Sequence, residues 1–423
     1  MSNMSVNRIR ILPQARRLWS SENLSRRVLL KVLDNIAVGS LTINDGNDVH
    51  HFGTPGRPGE PQAQVHVHNQ RVYSKVLTGG TIASGEAYIE GDWSSPDLTE
   101  VTRLFSANMS TMETMESRQN WYVKLGLKLA HSMNKNTREG SRKNISAHYD
   151  LGNDFFRLFL DETMMYSSAI YTPQATELEQ AAVEKLDEIC RQLELTTDDH
   201  LLEIGTGWGG MAIHAASHYG CRVTTTTISQ EQFEFATARV KSMGLEDQVT
   251  VLCEDYRNLT GTFDKLVSIE MIEAVGHHFY ANYFQCCSAL LKPNGKMVIQ
   301  AITMTDQRYD RAKDTVDYIK RYIFPGGCLP SVSVIANHIA VDTDMQIVHL
   351  RDITMDYAQT LADWRNRFMQ RLDEVKQMGF DDRFIRMWEF YLCYCEGGFR
   401  ERIIATAQLT FAKPGYRFDQ NSH

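Results

Sequence analysis

Hydrophobic and polar positions fall into three regimes along the chain. Residues 1–118 open with a basic stretch of helical, amphipathic spacing. Strand-like alternation follows in "SLTIND", "QVHVHN" and "RVYSKVL", with turns expected at "GTPGRPGEP" and "TGGT". This mixture predicts a small α+β domain. Residues 119–143 read as a helical, basic linker: "NWYVKLGLKLAHSMNK" has helical apolar spacing and leads into the basic run "KNTREGSRKN". From 144 to 423, the apolar runs "HLLEIG", "RVTTTTI", "VTVLCED", "FDKLVSIEM" and "GKMVIQAITM" alternate with helical stretches. Alternation of this kind predicts a doubly wound, mainly parallel, Rossmann-like α/β sheet. Past residue 305 the pattern predicts an irregular insertion, helices over 358–378 and 382–397, and a last strand in "IIATAQLTFAK".

One stretch carries a ligand signature. "LLEIGTGWGGMAIHAA", from Leu201, is a buried strand, a turn with Gly205, Gly207, Gly209 and Gly210, and a helix start. Glycine is needed where φ must be positive or a ligand must approach the backbone. A lone strand, glycine turn and helix is shared by NAD, FAD and S-adenosylmethionine sites. Three details favour S-adenosylmethionine. The G-x-G-x-G-G spacing lacks the third glycine position of the dinucleotide fingerprint, and Glu203 before the loop can receive the ligand's amino group. The strand ending "TTTTIS" has no acid at its tip, where Thr227 and Gln232 can bond a ribose instead. Asp255, in "CEDYRNL", is a natural acceptor for the adenine amino group.

Composition narrows the class. Of 423 residues, 43% are hydrophobic and 23% charged, which is ordinary for a globular protein of two or three domains. The formal net charge of −8 argues against a nucleic-acid binder. Arg8, Arg10, Arg16, Arg17, Arg26, Arg27 and Lys31 nevertheless face a single acid, Glu22, in residues 1–31. Such a cluster suits either an anionic membrane surface or a solvated arm. The eight cysteines have no zinc-ribbon spacing, so no metal is expected, and they fit a reducing cytoplasm. No apolar run approaches the roughly 20 residues that span a bilayer, and the N-terminus has no signal-peptide core.

"SAHYDLGNDFFRLFLDETMMYSSAIY", "LLEIGTGWGG", "TISQEQ", "EDYR", "FDKLVSIEMIEAVGHHFY", "IFPGGCLPS", "DYAQTLADW" and "YCEGGFRER" occur in one order over roughly 146–402. On these motifs the chain resembles the cyclopropane-fatty-acyl-phospholipid synthases and the related mycolic-acid cyclopropane synthases and methyltransferases. "GEAYIEGDWSSPDLTEVTRLF" is similar to the extra N-terminal lipid-binding domain of the bacterial phospholipid enzymes. The resemblance implies a class I S-adenosylmethionine-dependent methyltransferase domain, an unsaturated phospholipid substrate, peripheral attachment to the inner face of the membrane and a homodimer. It implies transfer of a methylene group to an acyl-chain double bond, giving a cyclopropane. The alternative product is a methylated alkene, if the intermediate cation loses a different proton.

It also implies a bound bicarbonate as base, held by a glutamate, a tyrosine, a histidine and backbone near a cysteine. The matching positions are Glu273 in "EMIEAVG", Tyr357 in "MDYAQT", Gln300 where the histidine usually stands and Ser168 where the cysteine does. Glutamine donates a hydrogen bond but does not titrate. Cys395 in "YCEGGFR" matches a cysteine important in the bacterial enzymes, and Tyr166 and Ser167 lie nearer the methionine moiety. Taken singly, Glu273 reads as a helix cap or surface charge, Tyr357 as a core aromatic and Cys395 as a buried thiol. The trio His148, Tyr149 and Asp150 reads as a structural or cofactor-covering group, and "FFRLFL" (155–160) as core packing in preference to a membrane-touching helix face.

Overall fold

A computed structural model describes residues 14–54, 56–109 and 151–417. The chain divides into two compact units, Met1–Lys124 and Leu125–His423. The expected linker at 119–143 lies outside the described residues, as do His148, Tyr149 and Asp150.

The first unit is α+β. It contains α1 (Gln14–Leu33), β1 (Ser40–Asp45), β2 (Asp48–Gly53), β3 (Gln62–Val67), α2 (Arg71–Ile89), β4 (Trp93–Ser94) and α3 (Leu98–Ala107). The sheet order is β2-β1-β3-β4, with β1 antiparallel to β2 and parallel to β3. "RVYSKVL", expected as a strand, is instead the start of α2. Its apolar run is too short for periodicity to choose. The Asn69 carboxamide oxygen accepts from the Arg71 N–H and so helps start a helix. The expected turn at "TGGT" survives as a kink inside α2, where Gly80 has φ 62°. Arg26, counted among the basic residues of the arm, is bound to Asp45 at 2.7 Å and Asp48 at 2.8 Å. It is a structural cation of this unit.

The second unit begins, among its described residues, with α4 (Asn153–Arg157) and α5 (Leu178–Leu193). There follow β5 (His200–Ile204), α6 (Gly210–Tyr219), β6 (Arg222–Thr227), α7 (Gln230–Ser242), β7 (Val249–Cys253), β8 (Phe263–Ile269), α8 (Tyr280–Leu290) and β9 (Leu291–Met304). Next come α9 (Asp306–Ala312), α10 (Tyr318–Tyr322), α11 (Val332–Asp342), β10 (Gln346–Asp352), α12 (Thr354–Gln370), α13 (Leu372–Gln377), α14 (Asp382–Arg400) and β11 (Ile404–Ala412). The sheet runs β10-β11-β9-β8-β5-β6-β7. Strands β5 to β9 are parallel, and β10 and β11 antiparallel.

Strand alternation feeds two cores, one on each face. Leu202, Leu266 and Met297 join Phe284 of α8, whereas Leu201, Val267 and Val298 join Ile189 of α5 and Met211 of α6. "FFRLFL" is core, with Phe155, Phe156 and Phe159 all buried. The stretch after 305 is more regular than expected, containing three helices. The single helix expected over 358–378 is two, broken at Arg371. Strand β10 was not expected, because an exposed edge strand carries little apolar signal.

Candidate active site

The parallel sheet reverses its strand order between β5 and β8, and ligands in such folds sit beyond the strand ends at that crevice. Strand β5 delivers the glycine turn there. Gly205, Gly207 and Gly209 have φ of 104°, 51° and 86°, a region that L side chains avoid. A Cβ on Gly207 would meet no atom within 4 Å, so that turn borders open space. A Cβ on Gly209 would lie 3.3 Å from the Ala236 Cβ, so this glycine serves helix packing.

The four side chains expected around the nucleoside are placed as follows. Glu203 is buried and accepts from Thr225 at 2.6 Å. Burial pushes its carboxyl up to about 8. The Thr227 hydroxyl donates to Gln232 at 2.8 Å, which fixes both at the tip of β6. Asp255 takes a bidentate pair from Arg257, at 2.8 and 2.5 Å. Three of the four therefore stand at the ends of successive strands on one edge of the crevice, and Gln232 beside them at the start of α7.

Strand β8 ends in Ile269, and the next residue, Glu270, is the centre of the second half of the site. Its carboxylate accepts from the Ser168 backbone N–H (2.8 Å), the Gln300 carboxamide (2.8 Å) and the Tyr357 hydroxyl (2.8 Å). Three of the expected residues thus converge, but on a carboxylate that sequence reasoning passed over. Gln300 Nε2 also donates to the Ser168 carbonyl at 3.2 Å. Both partners can only accept, so the amide nitrogen must face them. Gln408 completes the placement by donating to Gln300 Oε1 at 3.0 Å.

Glu270 has φ 48°, in the left-handed region, which is uncommon for a residue with a side chain. Holding such a conformation costs on the order of 1–3 kcal/mol, and strain of this kind collects at functional sites. Burial raises its carboxyl, while Gln300, Ser168, Tyr357 and the charge of Lys185 oppose the rise.

Glu273, the expected anion ligand, lies one turn further along. Its Oε1 accepts from the Ile302 N–H at 2.5 Å, while its buried Oε2 has no partner among the described residues. Burial, then the neighbouring charge of Glu270, pushes it up to about 8. Two buried carboxyls that repel do not both ionise at neutral pH. The three donors favour the charged form of Glu270, and the charge there favours the protonated form of Glu273.

Lys185 of α5 was also passed over. Its ammonium donates to Ser167 at 2.8 Å, and burial lowers it to about 8 against the charges of Glu270, Asp161 and Glu203. Helical spacing could have flagged it, since it falls on the buried stripe with Leu178, Ala182, Ile189 and Leu193.

Aromatic rings line this region. Tyr166 stacks on Trp364 at 5.2 Å, and its hydroxyl bonds that of Tyr391 at 2.8 Å. Trp364 meets Tyr357 edge-on at 6.1 Å, so the aromatic wall reaches the hydroxyl that holds Glu270. Burial keeps the Cys395 thiol protonated. The two halves of the site touch: a Cβ on Gly205 would come within 3.4 Å of Met271, the residue after Glu270.

A glycine turn at the switch point of a seven-stranded, mainly parallel sheet is the Rossmann-like architecture, and similarity to known proteins places it among the S-adenosylmethionine-dependent methyltransferases. The family model for mycolic acid cyclopropane synthetase matches residues 136–409, and the chain belongs to that family. It is 38% identical to the tuberculostearic acid methyltransferase UfaA1 of Mycobacterium tuberculosis, over 87% of each chain. It is 36% identical to the cyclopropane-fatty-acyl-phospholipid synthase of Escherichia coli K12, over 84% of this chain and 89% of that one. The mycolic acid cyclopropane synthase CmaA1, solved with SAH and CTAB, superposes with a TM-score of 0.60 at 28% identity, over 64% of this chain and 98% of that one.

Proposed function

We propose that the protein transfers a methylene group from S-adenosylmethionine to the double bond of an unsaturated acyl chain in a membrane phospholipid, producing a cyclopropane. The observation that carries this reading is a buried, triply bonded carboxylate set against an aromatic wall beside the glycine turn. Such an arrangement suits a reaction that first makes a cation and then removes a proton from it.

When bound, S-adenosylmethionine supplies an electrophilic methyl group. The turn at Gly205 and Gly207, with Tyr166 and Ser167 on the facing segment and Thr227, Gln232 and Asp255 along the crevice, would hold it. Tyr166, Trp364 and Tyr357 keep water from the carbocation that methyl transfer leaves on the chain, and their π-faces stabilise positive charge. A buried carboxylate takes the proton.

The methylated-alkene product is the second reading, supported by the similarity to the tuberculostearic acid methyltransferase. Substrate reached from a bilayer implies peripheral attachment, for which exposed basic residues such as Arg27 are suited. Among the described residues no helix is long and apolar enough to cross a membrane.

The test is incubation of the full chain with S-adenosylmethionine and vesicles of a monounsaturated phospholipid. Fatty acids are then resolved by mass spectrometry and NMR. A gain of one methylene with cyclopropyl proton signals is expected. Methyl-branched alkenes without rings would select the second reading, and no gain on any lipid would overturn both.

A further inference from the structure

We propose that Glu270 is the general base of this enzyme, occupying with its own carboxylate the place that a bound bicarbonate would take, so that the chain carries its base covalently. The inference rests on the lipid methyl-transfer reading above.

The donors decide the point. Of the four groups that the resemblance assigns to a bicarbonate, the Ser168 N–H, Gln300 and the Tyr357 hydroxyl already donate to Glu270, and Glu273 has one oxygen engaged by the Ile302 N–H. Gln300 has its remaining amide group fixed by Gln408, and Ser168 turns its hydroxyl to the Ala169 carbonyl at 2.9 Å. The residues present therefore do not fit a second anion. Inserting one would place its charge beside Glu270, in a region where the Glu270–Glu273 repulsion is already felt.

Position supports the same assignment. The carboxylate is tethered at the end of β8, one residue from the Met271 side chain that borders Gly205, and is bonded to a tyrosine of the aromatic wall. Its backbone stays at φ 48°, where glycine is favoured, and the chain keeps a glutamate there. Glu270 and Glu273 stand in different surroundings, one gathering three donors and the other with one bonded and one unpaired oxygen.

The step balances within the chain. After methyl transfer, a C–H bond of the new methyl group breaks and its electron pair forms the C–C bond to the cationic carbon, closing the ring. The proton passes to a Glu270 carboxylate oxygen, giving a neutral acid. Loss of that proton to water on product release restores the carboxylate.

Three forms of the full chain test this: wild type, Glu270→Gln and Glu270→Gly. Each is assayed on unsaturated phospholipid vesicles in carbon-dioxide-depleted buffer with and without added bicarbonate. Binding of 13C-bicarbonate is measured separately, by NMR without lipid. Wild type is expected to turn over equally in both buffers and to bind no bicarbonate. Glu270→Gln should lose at least about a hundredfold in product formation in either buffer, the range of a lost general base. Glu270→Gly relieves the backbone and frees the three donors, so it should bind bicarbonate and regain at least tenfold in rate when it is added. Bicarbonate dependence or bicarbonate binding by wild type, or full activity of Glu270→Gln, overturns the proposal while leaving methyl transfer intact. Absence of methyl incorporation into any lipid by wild type overturns the lipid reading and the base role together.

Discussion

Among single residues, the donors around Glu270 matter most, because each favours its charged form. Removing one leaves a buried carboxylate short of a partner, which costs about 1–3 kcal/mol, or roughly ten- to a hundredfold. Tyr357→Phe and Gln300→Leu should each slow product formation by that factor while leaving S-adenosylmethionine affinity within about twofold. The sign of the pH effect is fixed. Lys185, Glu273, Tyr357 and Tyr391 are titratable groups coupled to Glu270, and loss of a donor raises its pKa further. The base works only when ionised, so the acid limb of the pH–rate profile should move to higher pH in both variants. A limb that stays in place while the rate falls would reduce these residues to packing.

At the junction of β5 and α6, the proposed division is that Gly207 serves the ligand and Gly209 the fold. Gly207 and Gly209 sit two residues apart and both have positive φ, yet only Gly209 faces another helix closely. Gly207→Ala should weaken S-adenosylmethionine binding tenfold or more by calorimetry, with a backbone cost of about 1–2 kcal/mol. Gly209→Ala carries the same backbone cost and also presses on Ala236, so its melting temperature should fall further. Equal cofactor affinity in Gly207→Ala and wild type would refute the assignment of the turn as the ligand's cradle.

Over the whole molecule, buried charge sets a pH dependence of stability. Glu203 and Glu273 titrate at about 8 in the fold against an ordinary 4.5. Between those values the folded chain keeps protons that the unfolded chain has released. Their contribution is therefore complete below about 4.5 and is lost as pH rises through about 8. Each group gives a slope of at most about 1.4 kcal/mol per pH unit. Lys185, lowered to about 8, acts in the opposite sense above that pH. Denaturation of the full chain at pH 6, 7 and 8 should show falling stability, and Glu203→Gln should flatten the fall. Stability that rises from pH 6 to pH 8 would contradict the buried, protonated state of these carboxyls.

Alternation of short apolar runs with helical stretches determined the doubly wound sheet, because parallel strands covered on both faces carry apolar cores such as Leu201-Leu202, Leu266-Val267 and Met297-Val298-Ile299. The glycine turn was equally legible, since positive φ leaves a mark in residue type. Exposure hid β10, and a run too short to show its period hid the start of α2. The base site shows where such reading stops. Ser168, Gln300 and Tyr357 were picked out by motif, but their shared partner is Glu270, three residues before the glutamate that the motif highlights. Nothing local separates the two: both are acids in "SIEMIEA", just past a strand. Only the pairing of β8 with β9, which sets Ile269 against Gln300, and the docking of α12, which brings Tyr357, decide which one gathers the donors. Charge follows from that gathering, because a buried carboxyl ionises where hydrogen bonds replace water and stays protonated where they do not.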